Sequence, residues 1–162
     1  MTASGGKGRV WFAIQAVIAL ALLVTPVVSR APWSPMVRAV GAGVFVVGLG
    51  FLVWSYRVLG GSHSPWTAPR EGASLVTNGP YRIVRHPVYA AYVVIGLGLE
   101  VMLASPAGLI VAAVAYGYYH LRTREEERWL VQTYPDYATY RERVRGRLLP
   151  GIGSIGSRPR LP

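Results

Sequence analysis

The chain has 162 residues, 52% of them apolar and 15% charged, with a mean hydropathy of +0.33 and a formal charge of +10. That length suits one domain, the apolar excess excludes an ordinary soluble globule, and the lack of cysteine excludes disulfides, thiolate metal sites and cysteine nucleophiles. A positive balance of this size would suit nucleic acid, but the placement of the basic residues gives it another use.

Four apolar runs follow in chain order. Residues 10–28 are broken by no polar side chain except Gln15 and Thr25, and as a helix would reach ~28 Å, about one hydrocarbon thickness. The run has no small-residue cleavage site, so it is expected to stay as a span. Residues 37–58 form a second span, with Arg38 and Arg57 near its ends where both can snorkel. Residues 89–104 and 107–119 are shorter and separated only by Ser105 and Pro106, which predicts a tight helical hairpin. Glycines in "GAG" (41–43) and "GLG" (48–50 and 96–98) suit close helix packing.

With the N-terminus inside, Lys7, Arg9, Arg57, Arg70, Arg82, Arg85 and every arginine from Arg122 onward fall on the inner side. Only Arg30 and Arg38 fall outside. This is the positive-inside pattern, with both termini cytoplasmic. The charge orients the chain and meets anionic lipid head groups, so no nucleic-acid partner is expected. The preference for arginine over lysine suits a GC-rich bacterial genome, hence a bacterial cytoplasmic membrane.

Between the second and third runs lies a long Gly-, Pro- and Ser-rich connector ending in "SLVTNGPYRIVRHPVY". Connectors beyond ~12–15 residues are usually functional or disordered, and Leu75, Val76, Tyr81, Ile83 and Val84 anchor the end of this one. His86 precedes a proline and should be extended, letting Pro87 open the third helix with its backbone N–H groups free for an anionic group. After the fourth run the helix is expected to continue into water through "LRTREEERWL". There Arg122, Glu126 and Leu130 share a face, while three consecutive glutamates are, taken alone, more often a solvated charge run balanced by Arg122, Arg124 and Arg128. Pro135 should end that helix and Asp136 cap the next. The stripe Tyr137, Tyr140, Val144 then predicts an amphipathic helix lying on the bilayer, or acting as a lid.

The joint pattern of "LVTNGPYRIVRHPVY", a hairpin, "RTREEERWL" and "YPDYATYRERVRGRLLP" resembles the isoprenylcysteine carboxyl methyltransferase family. The "RHPxY" and paired-Glu features are shared with the related phospholipid N-methyltransferases. The likeness covers roughly residues 74–150; the two N-terminal runs are generic. It implies an integral-membrane enzyme that uses S-adenosylmethionine. It also implies that Ser74, Leu75, Val76, Tyr81, His86, Pro87, Val88 and Tyr89 line the cofactor pocket. Glu126, with Leu130 completing "EExxL", matches the family's cofactor-contacting acid, and Arg122 matches an arginine facing the methyl acceptor. Where the family often carries "VPR" this chain has "VRGR" (144–147), so Arg147 takes no role from the likeness. His63 and His120 match no motif position. No metal set is expected, because no cluster of the needed ligands exists.

The expected fold is therefore an all-α integral membrane protein with about four transmembrane helices, a tight hairpin among them, and a C-terminal interfacial helix. It forms one domain over 1–162: two spans in 10–58, a catalytic core in 59–150 and a flexible tail in 151–162. The expected activity is methyl transfer from S-adenosylmethionine to a lipophilic small-molecule or lipid acceptor at the cytoplasmic face, catalysed with Arg122 and Glu126. A phospholipid amine is the alternative acceptor. A nicotinamide-dependent membrane reductase and a non-catalytic membrane scaffold are the alternatives of other classes.

Overall fold

The computed structural model describes residues 3–60 and 75–151, and for residues 3–7 the backbone alone. The connector 61–74, with Ser74 and His63, and the tail 152–162 lie outside the described residues. Within them the chain is all-helical: α1 (Ala3–Val28), α2 (Pro35–Leu59), α3 (Pro87–Met102), α4 (Pro106–Thr133) and α5 (Tyr137–Arg143), with a 3-10 turn at Gly79–Arg82.

Gly8–Val28 of α1 and all of α2 are long and apolar enough to cross a membrane, and very little of either is buried. Val17, Leu20, Leu23, Val46 and Val47 all stand exposed. The core helix of a soluble protein would cover such a surface, so the chain is membrane-associated. A shorter apolar helix, α3, begins at Pro87 as its fixed φ and missing N–H favour. It ends two residues before the apolar run does.

Among the described residues two compact units divide α2, α3 and α4, one made of those up to 50 with 91–122, the other of those from 51 to 90 with those from 123 onward. In the first unit, glycines let α2 and α3 approach closely. A Cβ on Gly98 would sit 2.7 Å from the Phe45 Cα, and one on Gly41 would run into the Met102 backbone, whereas Gly43 and Gly50 face open space. The end of α3 follows from its hydrogen bonds. Ser105 N donates to Glu100 O (2.9 Å) and Ala104 N to Val101 O (3.2 Å), with Ala104 left-handed at φ 56°. These are the paired bonds of a Schellman turn, made here without the usual glycine. Ser105 then caps α4, its Oγ accepting from Gly108 N at 3.1 Å. As expected, α4 runs on well past Tyr119, to Thr133.

The second unit is built on tyrosines. Tyr81, Tyr137, Tyr140 and Val144 form its buried cluster, with Val58, Leu59, Leu75, Val76, Leu130 and Tyr134 packed around it. This corrects one expectation. The stripe on α5 does not rest on the bilayer but points into the protein, with Tyr137 only 1% exposed. The reason is polar as well as apolar: Tyr140 Oη donates to Tyr81 O at 2.7 Å, a partner that acyl chains cannot offer. Asp136 does precede α5, but its side chain makes no capping bond.

Candidate active site

The second unit gathers most of the residues singled out in the sequence. Gly79 turns the chain at φ 56°, in a space where a Cβ would meet the Val58 side chain at 2.9 Å, so glycine is required there. The turn buries Pro80 and Tyr81 and leaves Leu75, Val76, Tyr81 and Leu130 in one apolar cluster. Burial raises the Tyr81 hydroxyl above its ordinary range, and the charge of Glu126 adds to that, so the phenol stays protonated beside this carboxylate.

The extended residues before α3 are zipped to the chain after α5. Arg85 N donates to Gly146 O at 2.9 Å and His86 N to Arg147 O at 3.1 Å. The Arg85 side chain reinforces this, its Nη1 donating to Val144 O (2.6 Å) and Arg145 O (2.9 Å). Its Nε donates to Glu127 Oε1 at 2.7 Å in an almost fully buried ion pair. Glu127 also meets His86 Nε2 at 3.3 Å through Oε1, and its Oε2 accepts from Arg147 Nη2 at 2.8 Å. Burial alone would raise this carboxyl. The hydrogen bonds from His86, Arg147 and Arg85 more than reverse that and hold it well below the usual carboxylate range.

Glu126 faces a different partner set. Tyr89 Oη donates to its Oε2 at 3.0 Å, and His86 Nδ1 lies 3.9 Å from Oε1. The His86 and Tyr89 rings stack at 6.0 Å between centroids. His86 thus stands between the two glutamates, one ring nitrogen toward each. The Glu126 side chain remains 24% exposed, so it is a partly dry carboxylate open to a ligand's hydrogen-bond donors. Pro87 is fully buried at the start of α3 and Val88 partly buried. Glu125, in contrast, makes an exposed pair with Arg128 at 2.6 Å, the solvated arrangement that the charge run suggested.

Arg122 belongs to the first unit. It is buried there, Nη1 donating to Gln15 Oε1 at 2.9 Å and to Tyr118 Oη at 3.0 Å, and Tyr118 Oη donates to Trp11 O at 2.5 Å. Gln15, a mere polar interruption in the sequence, is therefore an arginine partner. The residues that sequence reasoning passed over are Arg85, Glu127 and Arg147. Three consecutive glutamates carry no signal that selects Glu127, and the departure from "VPR" turned attention from Arg147. Among the described residues no group of His, Asp and Glu could hold a metal ion.

Fold and site define a membrane-associated helical protein with a buried acid–base cluster drawn from α4 and from the segments before α3 and after α5. The chain belongs to the phospholipid methyltransferase family, whose sequence pattern matches residues 36–137. It is similar to the cobalt-zinc-cadmium resistance protein CzcN of Cupriavidus metallidurans, 38% identical over 76 residues, covering 46% of this chain and 35% of that protein. Two further relatives bear out the resemblance read from the motifs. They are protein-S-isoprenylcysteine O-methyltransferase B of Arabidopsis thaliana (37% over 76 residues, 46% of this chain and 39% of that one) and protein-S-isoprenylcysteine O-methyltransferase of Mus musculus (36% over 73 residues, 44% and 26%). The matched stretch thus spans well under half the length of these curated relatives.

Proposed function

We propose that the chain transfers a methyl group from S-adenosylmethionine to a lipophilic acceptor at the cytoplasmic face of a membrane, in the manner of an isoprenylcysteine carboxyl methyltransferase. The observation that carries this reading is Glu126, partly open, held by Tyr89 Oη at 3.0 Å and faced by His86. The apolar group of Leu75, Val76 and Tyr81 lies in the same unit. These residues fit the cofactor's parts. Leu75 and Val76 suit an adenine face, Glu126 suits an ammonium or ribose hydroxyls, and Tyr81, His86, Pro87, Val88 and Tyr89 border the same segment. Ser74 is included on the motif alone. When bound, S-adenosylmethionine supplies an electrophilic methyl on a sulfonium centre. The chain's own contribution is then to hold and align, since a direct displacement depends chiefly on positioning.

Arg122, one turn ahead of Glu126 on α4, is our assignment for the acceptor's carboxylate, where a guanidinium binds in a fixed fork. A carboxylate nucleophile needs no base, whereas an amine must first lose a proton. A phospholipid amine is the second reading, favoured by the name of the matching family. In this reading α1 to α4 all cross the membrane, α3 and α4 as a hairpin, and both termini are cytoplasmic. The clustering of basic residues on one side supports that orientation. The whole chain then acts as one catalytic domain.

The test is calorimetric binding of S-adenosylhomocysteine to detergent-solubilised protein. Glu126→Gln should weaken binding about ten- to a hundredfold, the worth of a charge-assisted hydrogen bond. If folded wild-type protein binds none of it, this reading falls and a nicotinamide cofactor or a scaffold role takes its place.

A further inference from the structure

Two hydrogen-bond donors in the second unit are buried with no acceptor among the described residues: the Tyr137 hydroxyl and Nε–H of Arg147. Both border Glu127. Arg147 reaches it through Nη2 at 2.8 Å. Burial raises the Tyr137 hydroxyl above its ordinary range, and the charge of Glu127 adds to this while that of Arg85 opposes it. One orphaned buried donor costs roughly 1–3 kcal/mol. Two beside the same carboxylate call for a common cause.

Charge supplies one. Arg85 and Arg147 both pair with Glu127, so two guanidinium groups share that one carboxylate and each keeps capacity for a further acceptor. A group bearing negative oxygen acceptors would satisfy both orphan donors beside these guanidinium groups. The Arg147 side chain is 25% exposed, which leaves an approach from solvent. Adjacent on α4, Glu126 offers the opposite character, a partly open carboxylate suited to a cation. A zwitterionic α-amino acid head matches the pair of environments, its ammonium toward Glu126 and its carboxylate toward the two donors.

We infer that Tyr137 Oη and Arg147 Nε form a carboxylate-binding subsite beside Glu127 that takes the α-carboxylate of the methyl donor's amino-acid head. This rests on the methyl-donor reading above. It makes α5 and the segment after it a wall of the site, a role that the motif likeness does not assign to either residue. Arg85, whose guanidinium is committed to Glu127 and to the Val144 and Arg145 carbonyls, holds that wall in place.

The experiment compares two ligands by calorimetry: S-adenosylhomocysteine, and its decarboxylated analogue, which keeps the ammonium and lacks the carboxylate. Wild-type protein should prefer the first. Tyr137→Phe and Arg147→Lys should each weaken S-adenosylhomocysteine about three- to tenfold and leave the analogue unchanged. The melting temperature of Tyr137→Phe should hold, because no protein hydrogen bond is lost. Variants that weaken both ligands alike, or neither, overturn the subsite, as does a wild type that binds the two ligands equally well. That last result leaves the methyl-donor reading standing. A folded wild type that binds neither overturns both.

Discussion

Glu100 and Glu127 are both buried carboxylates, one in each compact unit, and their surroundings differ in kind. Glu100 is fully buried in the apolar unit. Its carboxyl meets two neutral hydroxyls, Ser105 and Thr25 Oγ1, the latter 3.3 Å from Oε2 and also within reach of Ala21 O, and its Oε1 has no partner among the described residues. Space for it is made by Gly108, where a Cβ would come within 2.7 Å of the Glu100 Cγ. Glu127 instead meets Arg85, His86 and Arg147 from two separate stretches of chain. The contrast shows what each unit uses polarity for. In the first, glycines and close helix contacts do the packing and an acid is merely accommodated. In the second, an acid is the node that ties the extended residues before α3 to the segment after α5.

The largest effect should come from breaking that node. Glu127→Ala leaves the Arg85 guanidinium buried without its ion-pair partner and should destabilise the protein by about 3–5 kcal/mol. Chemical unfolding in detergent measures this, and a variant as stable as wild type would mean the node is decorative. A smaller effect sharpens the same point through pH. The Glu127 carboxyl is depressed below its ordinary 4.5 when folded, so the unfolded chain takes up the proton first. Its contribution is fully present above that ordinary value and is lost as pH falls below it. Melts from pH 7 to 3.5 should therefore slope downward in wild type and lose much of that slope in Glu127→Gln. The smallest change is expected at Glu100. Glu100→Gln keeps an acceptor for Thr25 and should alter stability by less than about 1 kcal/mol. A loss as large as that of Glu127→Ala would erase the distinction between the units.

Much of the fold could be read along the chain, because the signals are local. Apolar run length announced α1 and α2, and Pro87 announced where α3 begins. The grouping of Leu75, Val76, Tyr81 and Leu130, and of His86, Tyr89 and Glu126, was legible only through the joint motif spacing. Neither grouping follows from periodicity within one element. The direction of the α5 stripe was misread. An amphipathic pattern states that one face is apolar but not whether lipid or protein covers it, and here Tyr81, Leu130 and their neighbours do.

The sequence by itself determined which segments are helical, that the first two apolar runs are long enough to cross a membrane, and that the basic residues gather on the flanks of the apolar runs. These follow from backbone propensity and transfer free energy, which act residue by residue. Tertiary structure alone decided that Glu127, rather than either neighbouring glutamate, is the buried one, that Arg85 and Arg147 converge on it, and that Gln15 serves Arg122. A charge can be buried only where partners distant in sequence arrive together to replace its water, and that arrival is a property of the folded chain.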